Sequence, residues 1–326
     1  MTIQQLFKTA PVTTLLLASF IGLFIMQVLT GVDANNPSTE ALLKWGANAL
    51  PYTMQDQPWR LVSSAFLHIG LMHLLFNGFA MYFFGQIAEP MFGSAKFLAL
   101  FLLAAIGGNL LNSYVTWQSI LDGTGQPGLS AGASGGIMGI GAALLIAALF
   151  KISVNGMVLN LKSLIFIMGI NLVYGFAVPG IDNAGHIGGA ITGLVIALAF
   201  AIAYRQRLAV ALQNAAIYQN QNSHRYQTTY INQPPSLDSY SAHQATDLDT
   251  TDSRSDDTYA QSSTGTDAGS DINTTHANSI TPKTPIKPSF IWQLLPWLAM
   301  LLISIGFVWW WQDIHYQILQ VLKAIE

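Results

Sequence analysis

The chain has 326 residues, 52% of them hydrophobic and only 9% charged, with a formal net charge of -3. Soluble domains carry about 25% charged residues, so this composition points away from them and towards a polytopic membrane protein. No basic block stands out, which argues against a nucleic-acid partner, and a chain without cysteine has no disulfide, no thiol nucleophile and no thiolate metal site.

Seven apolar runs are long enough to bridge about 30 Å of hydrocarbon. The first goes from Val12 to Thr30 behind Lys8. It exceeds the core of a secretory signal and no A-x-A cleavage pattern follows, so it is read as a retained helix. The second goes from about Gly70 to Ala88, the third from Ala95 to Trp117 and the fourth from Ala131 to Phe150. The fifth covers Met157 to Val178 and the sixth His186 to Tyr204, while the seventh, Phe290 to Trp311, stands apart. The fold class is therefore all-α and polytopic.

Between the first two spans lies a long loop, Gly31 to Leu67. Ser38 ahead of Glu40-Ala41-Leu42-Leu43-Lys44-Trp45 predicts a capped helix start. Trp45, Leu50, Tyr52 and Trp59, interleaved with polar groups, predict a segment lying in the membrane interface, where aromatic rings prefer to sit. Residues 1–206 are read as the six-helix core. Residues 207–288, rich in Ser, Thr, Gln, Asn, Asp and Tyr, cannot bury enough apolar surface to offset their ordering entropy and are read as a disordered linker. The sixth helix is expected to run on to about Tyr218 within it. Residues 289–326 are the seventh span and a tail, whose Ile314, Ile318, Val321 and Leu322 at helical spacing predict a surface-lying segment.

Lys and Arg in short loops set the orientation. With the N-terminus inside, Lys8, Lys96, Lys151, Lys162, Arg205 and Arg207 all fall on the cytoplasmic side, and the outer loops near Asp122 and Asp182 carry none. Strongly polar groups within spans are costly and are functional candidates by default. Here they are His68, His73 and Asn77 on the second span, Ser134 on the fourth and His186 on the sixth, with Asn109 and Asn171 on the third and fifth. The other four histidines fall in the linker or tail and need no special role. The second, fourth and sixth spans all run inward, which brings the first five groups to a similar depth below the outer interface.

Ser134 sits in Gly132-Ala133-Ser134-Gly135-Gly136, where glycines admit close backbone approach and the start of a helix stabilises negative charge. A hydroxyl nucleophile needs an adjacent base, and His186 is the candidate. Asn77 and His73, four apart on one face, offer donors for an oxyanion together with the Ser134 backbone N–H. Gly135 and Gly139, like Gly189 and Gly193, have the four-residue spacing that lets membrane helices approach closely, and ordinary packing explains that spacing equally well. With no carboxylate at this depth within a span, a Ser–His dyad is expected. Asp182 and Asn183, just ahead of His186, are placed to orient that loop; Asp182 as a third triad member is the weaker alternative. A metal reading is disfavoured because His68 and His73, five apart, diverge by about 140° around a helix. No cofactor is expected.

These elements together resemble the rhomboid family of intramembrane serine proteases. The resemblance rests on Trp59-Arg60, His68-x4-His73-x3-Asn77, Gly132-Ala133-Ser134-Gly135 and Gly185-His186-Ile187-Gly188-Gly189, in family order over about residues 10 to 205. It implies a six-helix rhomboid bundle, here with one additional C-terminal transmembrane helix, and Ser134 and His186 as the dyad. It also implies an oxyanion hole of His73, Asn77 and the Ser134 amide, with His68 in the polar floor around the deacylating water. Trp59 and Arg60 would anchor the half-submerged first loop, and the loop before His186 would cap the site. Met138 departs from the family, many of whose members carry an aromatic there against the histidine; the long linker before the seventh span is a second departure. The implied substrates are single-span membrane proteins, cut near the outer face of a bacterial inner membrane with lipid as the surrounding partner. A non-catalytic relative that binds membrane helices is the alternative, and would need neither Ser134 nor His186. A transporter would need charged groups through the midplane, which are missing.

Overall fold

The computed structural model describes residues 3–126, 128–153, 159–177, 182–231 and 284–325. They form two units, Met1–Ala209 with Pro288–Glu326, and Val210–Lys287. In the second unit the Asn214 side chain exchanges two hydrogen bonds of 2.8 Å with the Ile286 backbone.

The first unit is helical. A short α1 (Ile3–Thr9) leads into α2 (Pro11–Leu29), the first span. Pro11 stands at the first helical position, where its missing N–H costs nothing. The N–H groups of Val12 and Thr13, which have no partner within the first turn, are taken by the Glu89 carboxylate at 2.9 and 2.7 Å, and Glu89 also accepts from the Thr13 and Ser94 hydroxyls. A buried acid thus caps the first helix from the end of another.

The first loop holds α3 (Thr39–Trp45), α4 (Leu50–Thr53) and α5 (Arg60–Ser63), followed by a 3-10 turn over Ser64–Phe66. The predicted cap is present, since Ser38 Oγ accepts from the Ala41 N–H at 3.2 Å. The helices of the next spans follow: α6 (Leu71–Phe92), α7 (Ser94–Leu121), α8 (Ser134–Leu149), α9 (Leu161–Ala177) and α10 (Asn183–Ile231). The sixth helix therefore extends well beyond Tyr218. Most of the remaining linker lies outside the described residues. Among the described residues α6, α7 and α10 are long and apolar enough to cross a membrane, whereas α8, at 16 residues, is shorter than the run from Ala131 to Phe150 predicts, because the glycine-rich segment ahead of Ser134 is not helical.

One core runs through the spans, with Phe20, Phe97, Phe101, Ile140, Leu144 and Ile196 fully buried among them. A two-residue antiparallel pair joins β1 (Asn48–Ala49) to β2 (Leu129–Ser130), tying the first loop to the segment that enters α8.

The seventh span, α11 (Ile291–Ile325), continues as one helix through the tail. Instead of resting on the membrane surface, this tail packs on α7 and the first loop. Ile314 is completely buried with Leu50, Met54, Leu110 and Trp117. The Trp311 indole donates to the Thr53 carbonyl at 2.9 Å, and His315 Nδ1 meets the Met54 carbonyl at 2.6 Å. His315, expected to need no special role, is thus a docking residue.

Candidate active site

Ser134 is the first residue of α8 and His186 the fourth of α10. The two helices touch through their glycines. A methyl group placed on Gly189 would enter the Gly135 carbonyl, and one on Gly193 the Gly139 carbonyl. One on Gly135 would lie 3.3 Å from the Gly185 carbonyl. Ser134 and His186 are the chain neighbours of that Gly135–Gly185 contact. Bare backbone on both faces gives the close approach that the four-residue spacing predicts. No hydrogen bond joins the Ser134 hydroxyl to the His186 ring among the described residues. Catalytic hydrogen bonds are often loose before substrate binds.

His73 stands against the serine loop. A methyl group on Gly132 would fall 2.6 Å from His73 Cε1 and 2.9 Å from Nε2. Gly132 has φ 142°, a conformation open to glycine and strained for other residues. Its N–H donates to the Ser64 carbonyl at 2.9 Å. The Ile69 N–H donates to His73 Nδ1 at 3.2 Å. That makes Nδ1 the acceptor and leaves the proton of a neutral ring on Nε2, the nitrogen facing Gly132. Asn77 is buried one turn on, and its amide donates to the His73 carbonyl at 3.0 Å. An amide nitrogen carries two hydrogens, so one remains to donate elsewhere. His68 precedes α6 in the loop and is 1% exposed, its ring 5.3 Å from that of Phe20 and 5.4 Å from that of His73. Burial, with His73 alongside, pushes its pKa down to about 3.

The sequence puts Asp182 in an outer loop just ahead of His186. The structure draws it into a hydrogen-bonded hub. Its Oδ1 accepts from the Gly185 N–H at 2.7 Å and from the Asn112 amide at 2.9 Å, and its Oδ2 from the Ser130 hydroxyl at 2.6 Å. Asp182 is therefore the N-cap of α10, and it joins the start of that helix to α7 and β2. The His186 Nδ1 is buried and has no hydrogen-bond partner among the described residues, so the Asp182 carboxylate does not take the orienting position of a triad.

Asn109, noted in the sequence only as a polar group within a span, has a definite place. Its amide donates to the Leu61 carbonyl at 2.9 Å and to Ser64 Oγ at 2.8 Å. The Asn171 side chain lies outside the described residues. Arg60 clamps the first loop, donating to the Leu43 and Ala47 carbonyls at 2.8 and 2.9 Å and to Gln57 at 2.7 Å. The Trp59 ring lies 4.8 Å from the Arg60 guanidinium. Met138 is buried one turn below Ser134.

A bundle with this order of elements, and a glycine-on-glycine contact between a serine helix and a histidine helix, defines an integral membrane protein of the rhomboid type. The rhomboid domain pattern matches residues 55–203. The chain is 31% identical to the rhomboid protease AarA of Providencia stuartii over 196 residues, covering 55% of this chain and 69% of that one. It belongs to the rhomboid family. It is also 38% identical over 184 residues to the rhomboid protease GluP of Bacillus subtilis, covering 56% of this chain and 34% of that protein. With RHOMBOID-like protein 2 of Arabidopsis thaliana it shares 33% identity over 181 residues, 55% of this chain and 54% of the relative. The chain thus spans about a third of GluP and about half of the plant relative.

Proposed function

We propose that the chain is an intramembrane serine endopeptidase that cuts single transmembrane segments of membrane proteins near the outer face of a bacterial inner membrane, with its own N-terminus in the cytoplasm. The observation that carries this is the contact between α8 and α10, which sets the residue after Ser134 against the residue before His186. The names of GluP and AarA as proteases support the same reading.

In this reading Ser134 Oγ attacks the scissile carbonyl while His186 takes the hydroxyl proton. The carbonyl oxygen becomes an oxyanion, held by the Ser134 backbone N–H, His73 Nε2–H and the second amide hydrogen of Asn77. The C–N bond breaks, the leaving amine takes the proton from His186, and an acyl ester remains on Ser134. Water, deprotonated by His186, adds to that ester and releases the acid, restoring the hydroxyl. His68 belongs to the polar floor beside this centre, and Trp59 and Arg60 hold the first loop over it. Asp182 acts through His186 as a positioning residue, by fixing the first turn of α10. Substrates with small or helix-breaking residues near their outer end are preferred, because a strand must expose amides that lipid cannot satisfy.

The test is cleavage of a tagged single-span substrate by the purified chain in lipid. Ser134→Ala and His186→Ala are each expected to abolish cleavage, and full activity in either removes the dyad. Fluorophosphonate labelling of Ser134 should disappear in His186→Ala. Asp182→Ala is expected to lower kcat with KM little changed and to cost about 1 kcal/mol of stability, the scale of a lost N-cap.

A further inference from the structure

At the end of the bundle opposite Ser134 lies a cavity of about 310 Å³ between the last turn of α6, the start of α7, the middle of α10 and the first turns of α11. Two of its lining groups are cationic, Lys96 and Arg207, and none is acidic. Its apolar wall includes Phe92, Phe200 and Pro296, and Trp292 lines it as well, from the first turn of the seventh helix. Glu89, the acid at the same end, is committed to Val12, Thr13 and Ser94. The ion pair described for the chain, Lys44 with Glu40, lies in the first loop. The Lys96 ammonium sits 5.7 Å from the Phe200 ring, and neither Lys96 nor Arg207 meets a carboxylate among the described residues.

We propose that this cavity is a binding site for the phosphate headgroup of an anionic phospholipid, built jointly by the six-helix core and the appended seventh helix. Two cations that meet no carboxylate among the described residues line one cavity, and together they favour an anion there. A guanidinium presents paired donors that fit phosphate oxygens, and an ammonium adds a point charge. A cavity of about 310 Å³ leaves room for a phosphate-bearing headgroup. The mixture of cations with aromatic and aliphatic wall suits a molecule that is anionic at one end and hydrocarbon at the other. Basic pockets between spans on the cytoplasmic side are where such headgroups are held, and indole rings favour that depth. A free phosphate ion would gain nothing from Phe92, Phe200 and Pro296, so the lipid is the occupant. The seventh helix supplies part of the wall, so the site ties that helix to the core at the inner face, as the Trp311 and His315 contacts tie it at the outer.

The test uses the full chain in detergent, titrated with phosphatidylglycerol, phosphatidylcholine or inorganic phosphate and read by native mass spectrometry. Phosphatidylglycerol is expected to bind in preference to the other two. Lys96→Gln and Arg207→Gln should each weaken it about fivefold, and together about 25-fold, at about one surface-lipid increment per cation. Lys162→Gln, a cation outside the cavity, should leave it unchanged. Ala203→Leu narrows the cavity while retaining both charges, and should also weaken the lipid. Binding of phosphatidylglycerol by the double variant or by Ala203→Leu as tight as by the parent overturns the site. So does binding of phosphatidylcholine as tight as that of phosphatidylglycerol. Inorganic phosphate that competes on equal terms replaces the lipid with a simple anion.

Discussion

His73 shows how one backbone contact decides what a side chain can do. The Ile69 N–H donates to its Nδ1, so the neutral ring carries its proton on the nitrogen beside the serine loop. Asn77 has spent one amide hydrogen on the His73 carbonyl and keeps the other. If both donate to the oxyanion, Asn77→Ala should slow cleavage about 10²–10³-fold with the protein still folded; an unchanged kcat takes Asn77 out of that role. His68 makes a separate prediction. Its folded pKa of about 3 lies below the ordinary 6.5 of histidine, so between those values the unfolded chain binds a proton that the folded chain refuses. The stability it contributes is complete above about pH 6.5 and declines as pH falls towards 3, by up to about 1.4 kcal/mol per unit. Thermal unfolding in mild detergent should therefore fall less steeply between pH 6.5 and 4 in His68→Phe than in the parent. Parallel profiles would contradict it.

The elements are held apart or together by what their faces lack. Between α8 and α10 the contact has no room for a side chain, since the ideal Cβ of Gly189 overlaps the Gly135 carbonyl and that of Gly139 lies 2.9 Å from the Gly189 carbonyl. Gly189→Ala must push the helices apart, costing about 1–3 kcal/mol and carrying His186 away from Ser134. Lower thermal stability together with lost fluorophosphonate labelling is the expected pair of results. Normal labelling in Gly189→Ala would separate the helix contact from the chemistry. At the other end of the spans, Glu89 satisfies two N–H groups that α2 cannot satisfy itself, an acid placed where the helix dipole favours it.

For the molecule as a whole, the spans were legible because hydrocarbon thickness leaves little choice. The second and third runs start within a residue of α6 and α7. The glycine spacing on the fourth and sixth helices was legible too, and the structure shows which backbone each glycine meets, a close contact that plain packing explains as well. What stayed hidden were contacts across long sequence separations. Asp182 reads as a solvated loop acid until Asn112 and Ser130 close around it, 70 and 52 residues away. Glu89 lay one residue beyond the end assigned to the second span, and nothing local announces that it caps the first helix. The tail of α11 has an amphipathic pattern that fits a lipid surface as well as a protein groove. Only the partner face on α7, with Tyr114 and Trp117 against Trp310 and Gln317, distinguishes the two.

The grip of α11 on the first loop does not depend on the peptide that leads into it. A chain severed by an engineered protease site between residues 231 and 284 should hold together as two fragments, because Trp311, His315 and Ile314 keep their partners at Thr53, Met54 and Leu110. The fragments should co-elute in detergent, and Ile314→Asp, which puts a charge into that seam, should let the smaller one go. Separation of the unaltered pieces after cutting would mean that the covalent tether, not the seam, retains the last helix.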